Sequence, residues 1–513
     1  MILAVFAAYL LTLLLIGVYF SRYNRSIGDF VLGGRRLGPW VAAFSAQASD
    51  FSGWLLIGLP AAAYAGGFSM IWACIGCTCG VMFNWLVLAR RLRRLSAEYG
   101  ALTIPDFLEA RYADRSRLIR VFSVLIIVVY YVSYIAAQFN AAGHVFATAF
   151  SQVSLPWGET IGGVPLSFYH QGMLIGAAII LAYTAAGGFL AVCWTDFVQA
   201  ILMVGAVIAL PVLGIIHLGG LDELWSALAA GALRENMLTM DGGKAGSSFL
   251  LGVAMHGLSW SVGYPGQPHI VSRFMAIEDP KKIPKSALIA VVWTLFALYG
   301  SLFVGLVAVG VLDPDRLAET ADQAMPMLAV TLLPAFFAGL VLSAAVAAMM
   351  STVDSQIIVA VAAVVRDGYE KLLGGRPSDR VAVWLSRAVV VVLGGAGVAA
   401  AWGGRSVYGQ VLDAWGGLAA GLGPAIVLGC LWERTSRVGV IVGMVTGVAM
   451  VQGWSVLLHG LENAFGFGSS LVQDIHAVKL LITVLANFAC VVLVSLLFPA
   501  KPSDVALEGG GLP

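Results

Sequence analysis

Apolar runs of about twenty residues, separated by short polar stretches, fill the chain from Ile2 to Phe498. A helix needs about 20 such residues to cross the hydrocarbon core of a bilayer. Thirteen stretches are predicted to do so: Ile2–Phe20, Pro39–Tyr64, Phe68–Ala89, Leu118–Phe150, Gln171–Ala186, Leu190–His217, Gly246–Pro268, Ala287–Val311, Leu328–Val365, Val381–Trp402, Val407–Cys430, Val438–Leu458 and Ile475–Phe498. The fourth and ninth are long enough to tilt or to extend beyond the bilayer. The first has no basic residue before it and no small-residue cleavage site after it, so it reads as a span and not as a cleaved leader. The expected fold class is an all-α polytopic membrane protein, a single transmembrane domain over residues 1–513.

Composition strengthens this reading. Of 513 residues, 60% are apolar and 11% charged, against about 45–50% and 25% in soluble domains. That excludes a disordered chain, a basic nucleic-acid binder and an ordinary soluble enzyme. The net charge of +1 is uninformative, but its distribution is not. Loops predicted on one side carry 23 of the 29 basic residues, among them Arg22, Arg25, Arg35, Arg36, Arg90, Arg91, Arg93, Arg94 and Arg273. Loops on the other side carry 4: Arg234, Lys244, Arg316 and Arg405. One missed span would invert every later loop and destroy the asymmetry. By the positive-inside rule the N-terminus lies outside and the C-terminus in the cytoplasm. The arginines after the third span read as anchors, with no nucleic-acid role.

Cys74, Cys77 and Cys79 lie within one apolar run with no matching ligands elsewhere, whereas zinc takes about four. They read as small apolar residues. No nucleophile–base pair or metal cluster suggests an enzyme, and no cofactor or obligate protein partner is expected.

The informative residues are polar ones at membrane depth. Asp50 lies about 18 Å into the second span, where a carboxylate costs at least about 2.5–3.5 kcal/mol. It belongs to Ser45-Ala-Gln-Ala-Ser-Asp-Phe-Ser-Gly-Trp54, followed by Pro60. This pattern predicts a helix that unwinds and frees carbonyls to line a cavity. The seventh span contains Gly257-Leu-Ser-Trp-Ser-Val-Gly-Tyr-Pro-Gly-Gln-Pro268 and predicts a second break with an aromatic lining. The ninth carries Ser343, Ser351, Thr352, Asp354 and Ser355. Hydroxyls and carbonyls form a hard-oxygen set, and without dense carboxylate they favour a monovalent cation. The breaks fall five spans apart. Spans 2–6 (residues 39–217) and 7–11 (residues 246–430) then form two five-helix units, inverted because five is odd, with two further spans over 438–498. Interrupted segments at matching positions of inverted repeats point to a transporter's midplane site.

From Tyr19 to about Phe498 the chain resembles the sodium/solute symporters, most closely their bacterial proline-transporting branch. The resemblance rests on Val31-Leu-Gly-Gly-Arg-Arg-Leu-Gly38, Ala48-Ser-Asp-Phe-Ser-Gly-Trp-Leu-Leu-Ile-Gly-Leu-Pro60, Gly187-Gly-Phe-Leu-Ala-Val-Cys-Trp-Thr-Asp196, Gly263-Tyr-Pro-Gly-Gln-Pro-His269 and Ala348-Met-Met-Ser-Thr352. It implies a LeuT-type inverted-repeat fold. It further implies a Na+ site built from the carbonyls of Ala48, Phe51 and Ala348 and the hydroxyls of Ser351 and Thr352, with Asp50 beside it and Asp196 near it or in its coupling. The implied substrate residues are Ser52, Gly53, Trp54, Tyr134, Trp260, Tyr264 and Gln267. Gln138, Phe139 and Asn140 depart from the smaller residues that the proline branch carries after Tyr134, and Val353-Asp354-Ser355 is closer to the wider family. The implied activity is Na+-coupled import of L-proline by alternating access at a bacterial cytoplasmic (inner) membrane. The alternatives are symport of a monocarboxylate, pantothenate or a sugar, and a transporter-like sensor.

Overall fold

The computed structural model describes residues 1–21, 27–149, 160–161, 164–165, 167–186, 188–230, 236–317, 321–403, 407–465 and 469–499. Among these, the fold is helical apart from a two-residue antiparallel pair, Thr160–Ile161 with Val164–Pro165. Arg22, Arg25, Arg234 and Arg405, which help to orient the chain, lie outside the described residues, as does the basic residue of the tail, Lys501.

Helices occupy each of the predicted stretches. Eight among the described residues are long and apolar enough to cross a membrane, and up to nine if Arg437–Gln452 and Trp454–Gly460, bent by 72°, form one span. The count falls short of thirteen partly because Trp54–Glu98 registers as one span although it covers the end of the second stretch and all of the third. Helices Ala4–Phe20 and Phe168–Ala182 are apolar but shorter. Across the bundle, the outer faces of the helices expose Leu15, Leu86, Val129, Phe296, Val391 and Leu493, as expected of surfaces solvated by lipid.

One boundary is corrected. The ninth stretch was expected to be continuous from Leu328, but a short helix, Ala324–Leu332, ends before Pro334 and a new one runs Ala335–Val361. Proline lacks the N–H that would continue the ladder, so it starts the long helix instead. That helix continues in a wider coil to Leu372.

Both predicted breaks are present. Helix Pro39–Asp50 stops where Phe51 leaves helical geometry (φ −84°, ψ 73°). The chain resumes as a wide turn in which the Leu59 N–H reaches back five residues to the Trp54 carbonyl, then as helix Leu59–Gly66. The seventh stretch narrows to a tight turn at Tyr264–Gly266, extends at Gln267 (φ −100°, ψ 97°) and restarts as Pro268–Met275. The residue before a proline is pushed out of the helical region, and Pro268 supplies that push. Gly263 is required by packing: a Cβ there would collide with the indole of Trp415.

The first half-helix, Pro39–Asp50, packs against Phe189–Leu218, Ile283–Val311, Pro268–Met275 and Ala335–Val361. The fourth-span helix, Leu118–Ala149, packs against Phe168–Ala186, Ala335–Val361, Asp379–Ala401 and Val407–Leu431. Both breaks therefore lie in the interior.

At the cytoplasmic end of the predicted topology, Arg120 pairs with Asp106 (2.9 Å), Glu109 (2.5 Å) and Asp367, and Arg366 pairs with Asp106 (3.1 Å). Burial opposes the charged form of Asp106, but the guanidiniums of Arg366 and Arg120 outweigh it and hold that carboxyl below its ordinary range. This cluster ties the loop helix Ile104–Arg111 to the base of the fourth and ninth spans.

Candidate functional site

Where the second span breaks, its last carbonyls meet the ninth span. The Ser351 hydroxyl lies 2.8 Å from the Ala48 carbonyl oxygen and 3.0 Å from that of Ala348. The Thr352 hydroxyl lies 3.1 Å from the carbonyl oxygens of Ser49 and Ala348. Each hydroxyl carries one proton but faces two carbonyls, so five oxygens converge in a space where only two protons are available. All five residues, Ala48, Ser49, Ala348, Ser351 and Thr352, are fully buried. Such an arrangement suits a hard, monovalent cation.

Four of the five residues expected at an ion site, Ala48, Ala348, Ser351 and Thr352, are thus brought together across about 300 positions of sequence. The fifth, Phe51, ends the helix one turn from Ala48 and donates its N–H to the Gln47 carbonyl. The second-span oxygen that faces Thr352 is that of Ser49. Asp50 is buried, and neither carboxylate oxygen accepts a hydrogen bond of normal geometry; Tyr264 is the side chain that approaches it. A buried carboxylate needs a counter-charge or a proton, and a cation bound beside it supplies the first.

Asp196 stands apart from this oxygen set, within a network of its own. Its Oδ2 accepts from the hydroxyls of Ser45 (2.7 Å) and Ser49 (3.2 Å) and from the Arg273 guanidinium (3.4 Å). Arg273 also donates to Ser355, whose hydroxyl lies 2.8 Å from that of Ser49. Ser49 is thus shared: its carbonyl faces Thr352 and its hydroxyl faces Asp196. The sequence reading placed Arg273 in a cytoplasmic loop. It is instead 1% exposed on helix Pro268–Met275. The helix restarts immediately after the break and carries this side chain inward, where Asp196 offsets its charge.

The residues expected around a substrate meet at the two breaks. Trp54 stacks on Trp260 with ring centroids 5.0 Å apart and planes 21° from parallel. Trp260 also leans on Tyr408 and Trp415, and its indole N–H donates to the Tyr408 hydroxyl at 3.2 Å. Tyr264 meets Trp415 edge-on at 5.0 Å. Gln267 donates through Nε2 to the carbonyls of Gly263 (3.2 Å) and Trp415 (3.1 Å). Ser52 accepts the Trp54 N–H at 3.4 Å, and the Gly53 N–H donates to Gln138 at 2.8 Å. Tyr134 faces the imidazole of His269.

Several buried polar atoms here lack a hydrogen bond of normal geometry: Trp54 Nε1, Tyr134 OH, Gln138 Nε2, Tyr264 OH, Gln267 Oε1 and Trp415 Nε1, besides the Asp50 carboxylate. Each such group costs about 1–3 kcal/mol, and native proteins concentrate them where function needs them. They offer both donors and acceptors along an aromatic wall, which matches a small solute with a polar end and an apolar body.

Sequence reasoning missed Trp415, Tyr408, Asn84 and Arg273. Asn84 donates to the Tyr264 carbonyl at 3.0 Å, holding the second break open from the third span. A polar side chain deep in an apolar run was the signal available for Asn84. Trp415 had a weaker one, its place beside Gly416-Gly417.

Comparison with known proteins bears on the family and the fold. The model of the sodium:solute symporter family matches residues 30–447. The chain is 36% identical over 479 residues to a sodium/proline symporter of Escherichia coli, covering 91% of each chain. It is 34% identical over 446 residues to a high-affinity proline transporter of Bacillus subtilis, covering 86% of this chain and 90% of that one. Among solved structures, a Na+-coupled sialic acid symporter in a substrate-bound outward-open state superposes with a TM-score of 0.74 at 19% identity, covering 98% of both chains. At that identity the likeness establishes the fold alone.

Proposed function

Because the chain belongs to the sodium:solute symporter family, we propose that it imports L-proline with Na+ across a bacterial cytoplasmic membrane by alternating access. The observation that carries the ion coupling is the convergence of the Ser351 and Thr352 hydroxyls on the carbonyls at the end of the broken second span. Relatives named as proline transporters, matched over most of their length, support the choice of substrate. Ala48, Phe51, Ala348, Ser351 and Thr352 hold Na+, with Asp50 as the neighbouring charge and Asp196 coupling the site to the Arg273 network. Ser52, Gly53, Trp54, Tyr134, Trp260, Tyr264 and Gln267 surround proline.

Proline is a zwitterion, so one Na+ carried with it moves one net charge. A potential of 100 mV contributes about 2.3 kcal/mol, and a tenfold Na+ gradient about 1.4 kcal/mol. Together these sustain a proline gradient of a few hundredfold. Radiolabelled proline uptake into proteoliposomes tests the proposal. An imposed inward Na+ gradient drives accumulation, and its collapse abolishes it. Accumulation independent of Na+, or none of proline, overturns the reading.

The topology that follows has thirteen crossings arranged as repeats over 39–217 and 246–430, with the N-terminus outside and the C-terminus in the cytoplasm. Impermeant thiol reagents added to intact cells then label cysteines introduced at exposed positions near Ala245 and Asp322, and leave those introduced near Lys281 and Pro377 untouched. The opposite pattern excludes this topology.

A further inference from the structure

Gln138 lies on the fourth-span helix, four residues after Tyr134, and is fully buried. Its Oε1 accepts the Gly53 N–H at 2.8 Å. That bond fixes the sense of the amide, because an N–H can face only the oxygen. The Nε2 donors therefore point away from Gly53, and they meet no acceptor in the protein. The amide has little freedom to turn. A Cβ on Gly53 would stand 3.0 Å from Gln138 Oε1, 3.0 Å from Ala141 Cβ and 3.1 Å from Met349 Cγ. The second, fourth and ninth spans thus close around this one point. Gln138 and Tyr134 are one helical turn apart and so share a face, and the Tyr134 hydroxyl is likewise buried without a hydrogen bond of normal geometry.

An interrupted helix ordinarily offers its free N–H groups to an anionic substrate group. Here the Gly53 N–H is already engaged by a side chain. The same side chain presents a fresh pair of N–H donors one amide further on, polarised by the bond its oxygen accepts. We propose that Gln138 is a specificity-determining residue, whose Nε2 donates to the carboxylate of a small amino-acid substrate while its Oε1 holds the unwound chain at Gly53. The inference rests on the proposed import of a small amino acid, and assigns its carboxylate end to the fourth span. The aromatic wall of Trp260 and Trp54 is left for the apolar body.

The test compares L-proline with L-prolinamide, which keeps the ring and the secondary amine but lacks the negative charge. Binding is measured by competition on the purified full-length protein in Na+ at pH 8. Gln138→Glu keeps an oxygen for the Gly53 N–H and replaces the donor by an acceptor. Its affinity for proline falls by about ten- to a hundredfold, the loss of a hydrogen bond to a charged group, while its affinity for prolinamide does not fall. Gln138→Leu removes the amide altogether and also loses more affinity for proline than for prolinamide. A role confined to bracing Gly53 would weaken both ligands alike. Radiolabelled Na+ binding without proline reports that each variant is folded, and if one is not, the ratio is read from the other. An unchanged proline-to-prolinamide ratio in the folded variant overturns this inference while the proline reading stands. Absence of Na+-dependent proline binding in the unmodified protein overturns the proline reading, and this inference with it.

Discussion

Ser351→Ala and Thr352→Ala should each raise the Na+ concentration needed for half-maximal proline uptake by about ten- to a hundredfold. The reason lies in the number of oxygens at this point. Two carbonyls from the end of the second span, one from the ninth and two hydroxyls approach within hydrogen-bond distance of one another. A cation bound there exchanges hydration oxygens for these, and deleting one leaves it short of a ligand in a place that water cannot refill. A hydrogen bond to a charged group is worth about 1.5–3 kcal/mol, which gives the stated range. The competing explanation is that both hydroxyls merely satisfy helix carbonyls, as serines and threonines in membrane helices often do. Their bonds to Ala348, three and four residues back, fit that role. The bonds to Ala48 and Ser49 do not, since they leave the helix for the broken end of another. A purely structural role predicts uptake with altered rate and unaltered Na+ dependence, so a Na+ titration of each variant separates the two. Asp50→Asn should be at least as damaging if, as proposed, the bound cation is the counter-charge of this buried carboxylate. Unchanged Na+ dependence in all three variants would place the ion elsewhere.

The parts of this site that sequence reveals are those where one residue contradicts its surroundings. Asp50 in an apolar run, and Gly, Pro and Gln crowded into the seventh span, mark the two breaks without reference to the rest of the chain. Local chemistry is enough there, because a proline or an unwound turn acts on its own neighbours. What is hidden depends on pairs remote in sequence. Arg273 looks like one more cytoplasmic arginine until the restarted helix buries it against Asp196, 77 positions away. Gln138 looks like a departure from a pattern of smaller residues until Gly53 is found on its oxygen, 85 positions away. Trp415 sits in a run of Gly and Ala whose local pattern says only that helices pack closely. Its role as the surface on which Gly263 and Tyr264 rest follows from the crossing of the seventh and eleventh spans. Helix type is legible from composition; which faces meet is set by packing among many helices of nearly uniform apolarity.

Trp260→Ala should weaken proline binding at least tenfold while leaving Na+ binding without proline largely intact. Trp260 is fully buried between Trp54, Tyr408 and Trp415. It belongs to the seventh span, whereas the converging oxygens belong to the second and ninth, so the two functions are separable. An indole beside the substrate contributes in two ways. It removes ring methylenes from water, about 0.8 kcal/mol for each one fully buried. It can also attract the secondary ammonium through its face, worth about 1–2 kcal/mol when desolvated. The burial of two methylenes alone, about 1.6 kcal/mol, exceeds the roughly 1.4 kcal/mol that corresponds to tenfold, and a well-placed ammonium adds to it. Truncating a buried tryptophan also costs about 3–5 kcal/mol of packing, so loss of proline binding alone would not distinguish contact from collapse. Trp260→Phe supplies the distinction. It keeps an aromatic face and most of the packing but loses the N–H donated to Tyr408, and its proline affinity should fall between those of the unmodified protein and Trp260→Ala. Radiolabelled Na+ binding, measured on the same preparations without proline, should be nearly equal in all three. Proline affinity unchanged in Trp260→Ala would remove this residue from the substrate site, and with it the aromatic wall as the reason for preferring a compact apolar ring over a polyol.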